Sequence, residues 1–458
     1  MAVSAENRVR IAEAVRMVLG SEPCVVFVSS LLRAREIKMA TALRAIGWKV
    51  ILLYKQTTPF TPGAIFDLAI RAAADSELHE IAVQIQPPVC HVFSGAVDEI
   101  ILQFCRYKPG PVVVDLNDVF CPSMFNYLSE RFAPTKECLA LADGVCARDL
   151  QPRFAERYDG FEINGPTLWF PEYGWKEFSK EPRAARKKDA DEIRVVSIGT
   201  MTLESQGWYD SGLLALAKMF AEQRIHLHIY PHWFYLPAPG TVFNFNREKD
   251  FKDFIELERK TGYVHVHNSL FFDELARELP QYDFGIVSGG CEELGQKLKF
   301  LRQEYMCACY SGRISDFLDA RLPVLINREV VFNEWLLRRN EIAVDLRGIL
   351  ALGFREKLLA IKNSQAWAEK VEMAARRFSL SAHAPRLAAF YNRVIALNKN
   401  VAYAAVKVGD FAVPANNHRV RPPWRTSVHW ITRQVRTIAR QLRSLPRRIH
   451  NRLFLASR

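Results

Sequence analysis

The chain has 458 residues, 49% of them hydrophobic and 24% charged, with a formal net charge of +12. That is too long for one ordinary core, so two domains are expected. No run of 18 or more apolar residues occurs, which excludes a bilayer-spanning helix, and the charges spread through "MAVSAENRVRIAEAVRMVLG" mark an amphipathic helix rather than a signal peptide.

The charge is unevenly placed. Residues 419–458 hold eleven arginines and no Lys, Asp or Glu, and 12 − 11 leaves +1 for residues 1–418. The body is nearly neutral, and the basic character belongs to a tail. The nine cysteines are odd in number and irregular in spacing, as expected of reduced thiols in a cytosolic protein. Cys307-Ala308-Cys309 is the one close pair, and no second pair or nearby His cluster completes a zinc site around it.

From Cys24 to about Gly165, short β-branched runs alternate with helical stretches. "CVVFVSS" reads as a strand, "REIKMATALRAIG" as a helix closed by Gly47, and "WKVILLY" as a second strand. "HEIAV", "VCHVF", "PVVVDL" and "GVCA" follow as strands, with "VDEIILQFCR" and "PTKECLALAD" as helices between them. Strands apolar nearly throughout and separated by helices point to a parallel sheet covered on both faces.

Residues 171–192 are polar and poor in β-branched residues, and read as a linker. The alternation then restarts with "IRVVSIG" (strand), "WYDSGLLALAKMFAE" (helix) and "RIHLHIY" (strand). "YVHVHNS", "FFDELAREL" and "YDFGIV" continue as strand, helix and strand, followed by a long helical insert. "EIAVDL" and two helices to about Ser379 complete this half, and residues 381–399 form a helix able to cross back onto the first domain. The expected fold is α/β, with two Rossmann-like doubly wound domains at residues 1–170 and 193–379, a helix at 380–400 and a basic amphipathic helical tail at 419–458. Such sheets leave a cleft at the C-terminal edges of their strands.

The most specific pattern is "SGRISDFLDARLPVLIN", Ser311 to Asn327. Arg313 and Asp316 stand one helical turn apart, just before Pro323 and the core strand Val324-Leu325-Ile326. On residue types alone this is either a surface ion pair or a nucleotide grip. A guanidinium binds a diphosphate bidentately, and a carboxylate one turn along accepts from ribose hydroxyls, near a helix N-terminus that favours anions.

The run "GRISDFLDARLPVLIN" resembles the donor-binding domain of glycosyltransferases of the GT-B fold, whose pattern runs near "N-K-L-F-E-Y-L-A-A-G-L-P-V". Aligned on Leu322-Pro323-Val324, Arg313 falls at the lysine, Asp316 at the glutamate, Phe317 at the aromatic and Ala320 at the small residue, while Arg321 replaces the glycine. "YDFGIV" and "RVVSIGTMTLESQGWYDSGLLALAKM" resemble the strand leading into this region and the domain's first strand, turn and helix. The resemblance covers roughly residues 193–345, and the N-terminal half matches in architecture only. It implies a metal-independent, hexosyltransferase-like enzyme with a nucleotide-diphospho-sugar as co-substrate and no other cofactor. Asp316 then holds the ribose and Arg313 neutralises the leaving diphosphate, where charge develops in the transition state.

Two positions depart from the family. Ala308 stands where many members carry a first glutamate, with Glu304 one turn earlier as a substitute, and Gln206-Gly207 stands in place of a Lys-Gly aimed at the diphosphate. Gly199, Gln206, Gly289, Gly290 and Ser311 complete the candidate donor contacts. Asp189-Ala190-Asp191 matches a metal-holding Asp-x-Asp but precedes a strand rather than ending one, so no metal is expected there.

The acceptor side falls to the first domain. Asp115 and Asp118 in "VVVDLNDVF", His91 in "VCHVFSG", and Ser30, Arg33 and Arg35 in "SSLLRAR" lie at strand ends, and His91 or Asp118 is the candidate general base. In the tail, Val428, Ile431, Val435, Ile438, Leu442, Leu445 and Ile449 recur every three or four residues opposite an arginine series. An amphipathic helix at 424–453 on an anionic membrane surface, anchored by Trp424 and Trp430, fits best. A partner helix and nucleic acid are the other readings.

The expected function is transfer of a sugar to a glycan or lipid-linked acceptor, in polysaccharide biosynthesis, by a cytoplasmic protein peripheral on the inner membrane face. Two other classes stay open: an inactive nucleotide-binding scaffold, favoured by Ala308 and Gln206, and a nucleic-acid-binding protein acting through its tail.

Overall fold

The computed structural model describes residues 22–56, 64–94, 99–126, 129–175, 191–199, 212–231, 247–298 and 301–401, with isolated positions before residue 22. The arginine-rich tail, Gln206-Gly207 and Asp189 lie outside these residues. The body, residues 1–406, contains two parallel sheets.

The first sheet is built from β1 (Cys24–Leu31), β2 (Lys49–Gln56), β3 (Leu68–Arg71), β4 (Cys90–Ser94), β5 (Val112–Leu116), β6 (Gly144–Ala147) and β7 (Thr167–Trp169). Its order is β3-β2-β1-β4-β5-β6-β7, with every pairing parallel. The second sheet comprises β8 (Arg194–Gly199), β9 (His226–Pro231), β10 (Val264–Val266), β11 (Phe284–Val287), β12 (Val324–Ile326) and β13 (Ala343–Asp345). It runs β10-β9-β8-β11-β12-β13, again all parallel. In each sheet the order reverses direction beside the first strand, the doubly wound topology.

The helices of the first half are α1 (Ala34–Ala45), α2 (Asp75–Ile85), α3 (Glu99–Arg106), α4 (Phe132–Leu141) and α5 (Gln151–Asp159). The second half carries α6 (Leu213–Glu222), α7 (Lys252–Thr261), α8 (Phe272–Glu278), α9 (Gln303–Ala308), α10 (Arg313–Asp319), α11 (Val331–Arg339), α12 (Phe354–Lys362) and α13 (Gln365–Arg377). Because successive strand side chains point to opposite faces, β1 feeds two cores: Val26 and Val28 join one, Val25 and Phe27 the other. This two-sided burial is why the strands read as unbroken apolar runs.

Two local readings are corrected. "HEIAV" is not a strand but part of α2, where Leu78, Ile81, Ala82 and Ile85 form one buried stripe at helical spacing. The insert after β11 is not one long helix. Its described parts are a 3-10 turn at Glu292–Leu294 and the six-residue α9.

The last helix of the body, α14 (Leu380–Leu397), returns to the first half. Leu387, Phe390, Tyr391 and Val394 pack with Ile37 and Leu43 of α1 and with Trp48, in the core that also holds Val25 and Phe27. Burying each such side chain is worth about 1.5–3 kcal/mol. Residues 171–175 do not behave as a solvated linker. Tyr173 and Trp175 are buried, and Gly174 forms a parallel bridge with Ser379, donating to Phe378 O (2.8 Å) and accepting from Leu380 N–H (2.9 Å). All nine cysteines are free thiols, and no helix among the described residues is long and apolar enough to cross a membrane.

Candidate functional site

The C-terminal strand ends of both sheets meet at a seam. On the second half, β8 ends at Gly199, whose φ of +93° suits glycine. The side chain of Arg313, first residue of α10, lies directly over it, and a Cβ built on Gly199 would stand 3.0 Å from Arg313 Nε. Glycine is therefore required twice at this point, for its backbone angle and for the approach of the guanidinium. With only seven residues, α10 has a weak dipole, so any preference for anions rests on the arginine itself.

One turn along, Asp316 is 36% exposed and accepts from Lys38 Nζ of α1 at 3.0 Å, through Oδ1. Its other oxygen has no hydrogen bond among the described residues. Burial pushes the Asp316 carboxyl up, and Lys38 offsets this only in part. Lys38 itself stays charged, because Asp316, Asp319 and Glu172 more than offset the cost of its burial. Asp319 accepts from the Trp175 N–H, and burial lifts its carboxyl to about 6.

Behind Arg313, Gly312 closes on Glu172: a Cβ at 312 would fall 2.3 Å from Glu172 Oε2. Glu172 pairs with Arg148 Nη1 at 3.2 Å, and Arg148 also donates to the Asn117 carbonyl at 2.8 Å. Asp149 accepts from the N–H groups of Gln151 (3.0 Å) and Tyr310 (3.3 Å), while burial holds its carboxyl up at about 7. Arg321, where the family pattern has glycine, adopts φ +61° and donates to Leu318 O and Asp319 O at 3.0 and 3.1 Å. A left-handed arginine costs about 1–3 kcal/mol, which explains why a glycine suits this turn.

Gly289, Gly290 and Ser311 line the second half's strand ends, but their backbone is partly committed. Gly289 N–H donates to Asn327 Oδ1 (3.1 Å) and Asn327 Nδ2 donates back to Gly289 O (2.7 Å), so that amide is not open to a phosphate. Ser311 N–H donates to Asn333 Oδ1 at 2.8 Å. Gly290 has φ +70°.

In the first half the two base candidates part company. Asp118 follows β5, is half-buried, and accepts from Tyr305 OH of α9 at 3.1 Å, which places it at the seam. His91 is fully buried, with Nδ1 2.5 Å from Tyr391 OH and Nε2 3.4 Å from Asp115 Oδ2. It is a core residue that docks α14, and no acceptor hydroxyl can reach it. Asp115 is in turn held by Arg35. Ser30 Oγ turns away to Asp75 (3.3 Å), and Arg33 Nε is buried with no hydrogen-bond partner among the described residues. Ala308 is fully buried in the first half's core, and its carbonyl accepts from Leu150 N–H at 3.1 Å. A first glutamate has no room to project from that position. Glu304 is half-buried near Cys307.

Three residues of the seam had no signal in the sequence: Lys38 in a helix, Arg148 after β6 and Glu172 in the assumed linker. Nothing in their local context separates them from ordinary surface charges.

No family model and no curated protein matches the sequence. Among solved structures, sucrose-phosphate synthase from Thermosynechococcus elongatus superposes with a TM-score of 0.54 at 14% identity, covering 82% of this chain and 100% of that chain. The apo structure of OtsA superposes with a TM-score of 0.50 at 11% identity, covering 81% and 99%. With two doubly wound parallel sheets meeting at their C-terminal edges, this chain has the fold of the GT-B glycosyltransferases.

Proposed function

We propose that the protein is a glycosyltransferase that takes a sugar from a nucleotide-diphospho-sugar and passes it to a glycan or lipid-linked acceptor. The observation carrying this reading is Arg313 laid over Gly199 at the end of β8, with Asp316 one turn further on. In this reading Arg313 takes up the charge of the departing diphosphate, and Asp316 holds the ribose with the oxygen that Lys38 leaves open. Asp118 is the acceptor-side base, with no metal in the transfer step. The arginine-rich residues 424–453 hold the enzyme to an anionic membrane surface, on the cytoplasmic side, where lipid-linked acceptors lie.

A second reading, nucleotide binding without transfer, is favoured by the burial of Ala308, which removes the family's usual contact with the sugar. Calorimetric titration of the full chain with UDP, GDP and dTDP, beside Arg313→Ala and Asp316→Ala, tests both. The expected result is one nucleotide bound, with affinity falling about tenfold or more in each variant, or about 1.4 kcal/mol. Binding without hydrolysis or transfer of the matching nucleotide-sugar supports the second reading. No binding of any nucleotide overturns both.

A further inference from the structure

Two histidine pairs face one another at the outer edge of the second sheet. "HLH" in β9 and "HVH" in β10 and the residue after it each put two histidines on one face of a strand, because side chains alternate. The register sets His265 directly opposite His228. The intervening Leu227, Ile229, Val264 and Val266 are buried in the core on the other face, while all four histidines are half-buried.

The rings meet through nitrogen. His226 Nδ1 lies 2.9 Å from His265 Nε2, and His228 Nδ1 lies 2.9 Å from His267 Nε2. The far nitrogens of the first pair face carboxylates, His226 Nε2 at 3.6 Å from Glu192 and His265 Nδ1 at 3.7 Å from Glu258. His228 Nε2 is buried and has no hydrogen-bond partner among the described residues. One nitrogen from each of His226, His228 and His265 lies within 4.8 Å of the others.

We propose that His226, His228 and His265 form a site for a divalent transition-metal ion of the Zn2+, Co2+ or Ni2+ class, with the fourth position left to water. Imidazole nitrogen is a ligand these ions favour. Metal–nitrogen bonds of about 2.0–2.1 Å in a tetrahedron set the ligand nitrogens about 3.3 Å apart. The 2.9 Å pair needs to open by about 0.4 Å, and His228, whose ring stacks on His265 with centroids 4.4 Å apart, turns its ring to bring its nitrogen to the same spacing. Glu192, which also accepts from Arg194, and Glu258 lie just beyond hydrogen-bond distance of the other ring nitrogens, so a small shift would let each accept the N–H of a metal-bound imidazole. In the tautomer in which His228 Nδ1–H donates to His267, the His228 lone pair is on Nε2, which has no other hydrogen-bond partner among the described residues. The pairs sit toward the start and middle of β9, since His226 is opposite Arg194, whereas Gly199 is opposite Pro231 at the other end. A bound ion therefore clips edge strand β10 to β9 and takes no part at the Arg313 seam.

The test uses the full, tag-free chain, stripped with a chelator and titrated with Co2+ by visible absorption and with Zn2+ by calorimetry. One equivalent should bind, with the intense visible bands of a tetrahedral nitrogen and oxygen site and no thiolate charge-transfer band. Zn2+ should raise the thermal midpoint. The double variant His226→Ala/His265→Ala should bind at least tenfold more weakly while keeping the metal-free midpoint, and His383→Ala should bind like the parent. If the double variant does not fold, the single change His265→Gln gives the same reading. Absence of stoichiometric binding, undiminished binding in the variant that folds, or a thiolate band pointing to Cys307 and Cys309 overturns the proposal.

Discussion

The two halves share a topology but treat the polar residues of their strands in opposite ways. In the first half, Arg35 donates to Asp115 Oδ2 through Nε (2.9 Å) and Nη2 (2.7 Å), and to Phe170 O at 2.8 Å, while Tyr391 closes over His91. Burial alone would raise the Asp115 carboxyl, but Arg35 and His91 more than offset that and hold it at about 2. Asp115 and Arg35 are thus spent on one another inside the core. In the second half, Arg313 and Asp316 sit half-buried at the seam, and Asp316 keeps one oxygen without a partner among the described residues. Lying on or beside a sheet strand thus does not make a site. What separates the two clusters is burial: Asp115 is sealed beside Arg35, while Asp316 keeps one oxygen open among the described residues.

Three substitutions press on that contrast. Asp115→Ala leaves the Arg35 guanidinium buried and unpaired, and should cost about 3–5 kcal/mol in chemical denaturation. If the cost is under about 1 kcal/mol, the first cluster is not the sealed one described. Gly199→Ala places a methyl against Arg313 at a positive φ, and should cost about 1–3 kcal/mol. It should also weaken nucleotide binding about tenfold by displacing the guanidinium. Unchanged nucleotide affinity with altered stability would separate Gly199 from the donor site. The smallest effect is expected from Lys38→Met. Asp316 is more than a third exposed, so stability should move by about 1 kcal/mol or less. Nucleotide affinity should rise severalfold by calorimetry as both Asp316 oxygens become free for ribose, and a fall would mean that Lys38 itself helps to hold the phosphates.

The sheets were legible because a strand buried on both faces has to be apolar throughout, and "CVVFVSS" or "PVVVDL" can hardly be anything else. "HEIAV" misled because five residues cut out of α2 hide a period that needs the whole helix to show. The Arg313-Asp316 pair could be picked out because both members belong to one helical turn. Lys38 could not, since it is 278 residues away from Asp316 and only the docking of the two halves makes them partners. His91 shows the same limit, because the strand was evident but the tyrosine that seals it was not. The histidines of β9 and β10 were different again: "HLH" and "HVH" stood in plain sight, and alternation already placed each pair on one face. What the sequence withheld was the adjacency of those two strands.

The return of α14 carries a consequence for how the chain comes to be. Tyr391 closes over a histidine 300 residues before it. At about 5–20 residues per second, the ribosome needs roughly 15–60 s to make that interval. From the completion of β7 at Trp169 until the end of that time, the nascent first half has its own sheet but not its lid, and Trp48, Phe27 and Val25 lie in a groove awaiting residues that have not yet been made. The earliest-born domain is thus the last to be completed, and its vulnerable interval is set by translation speed rather than by its own folding rate.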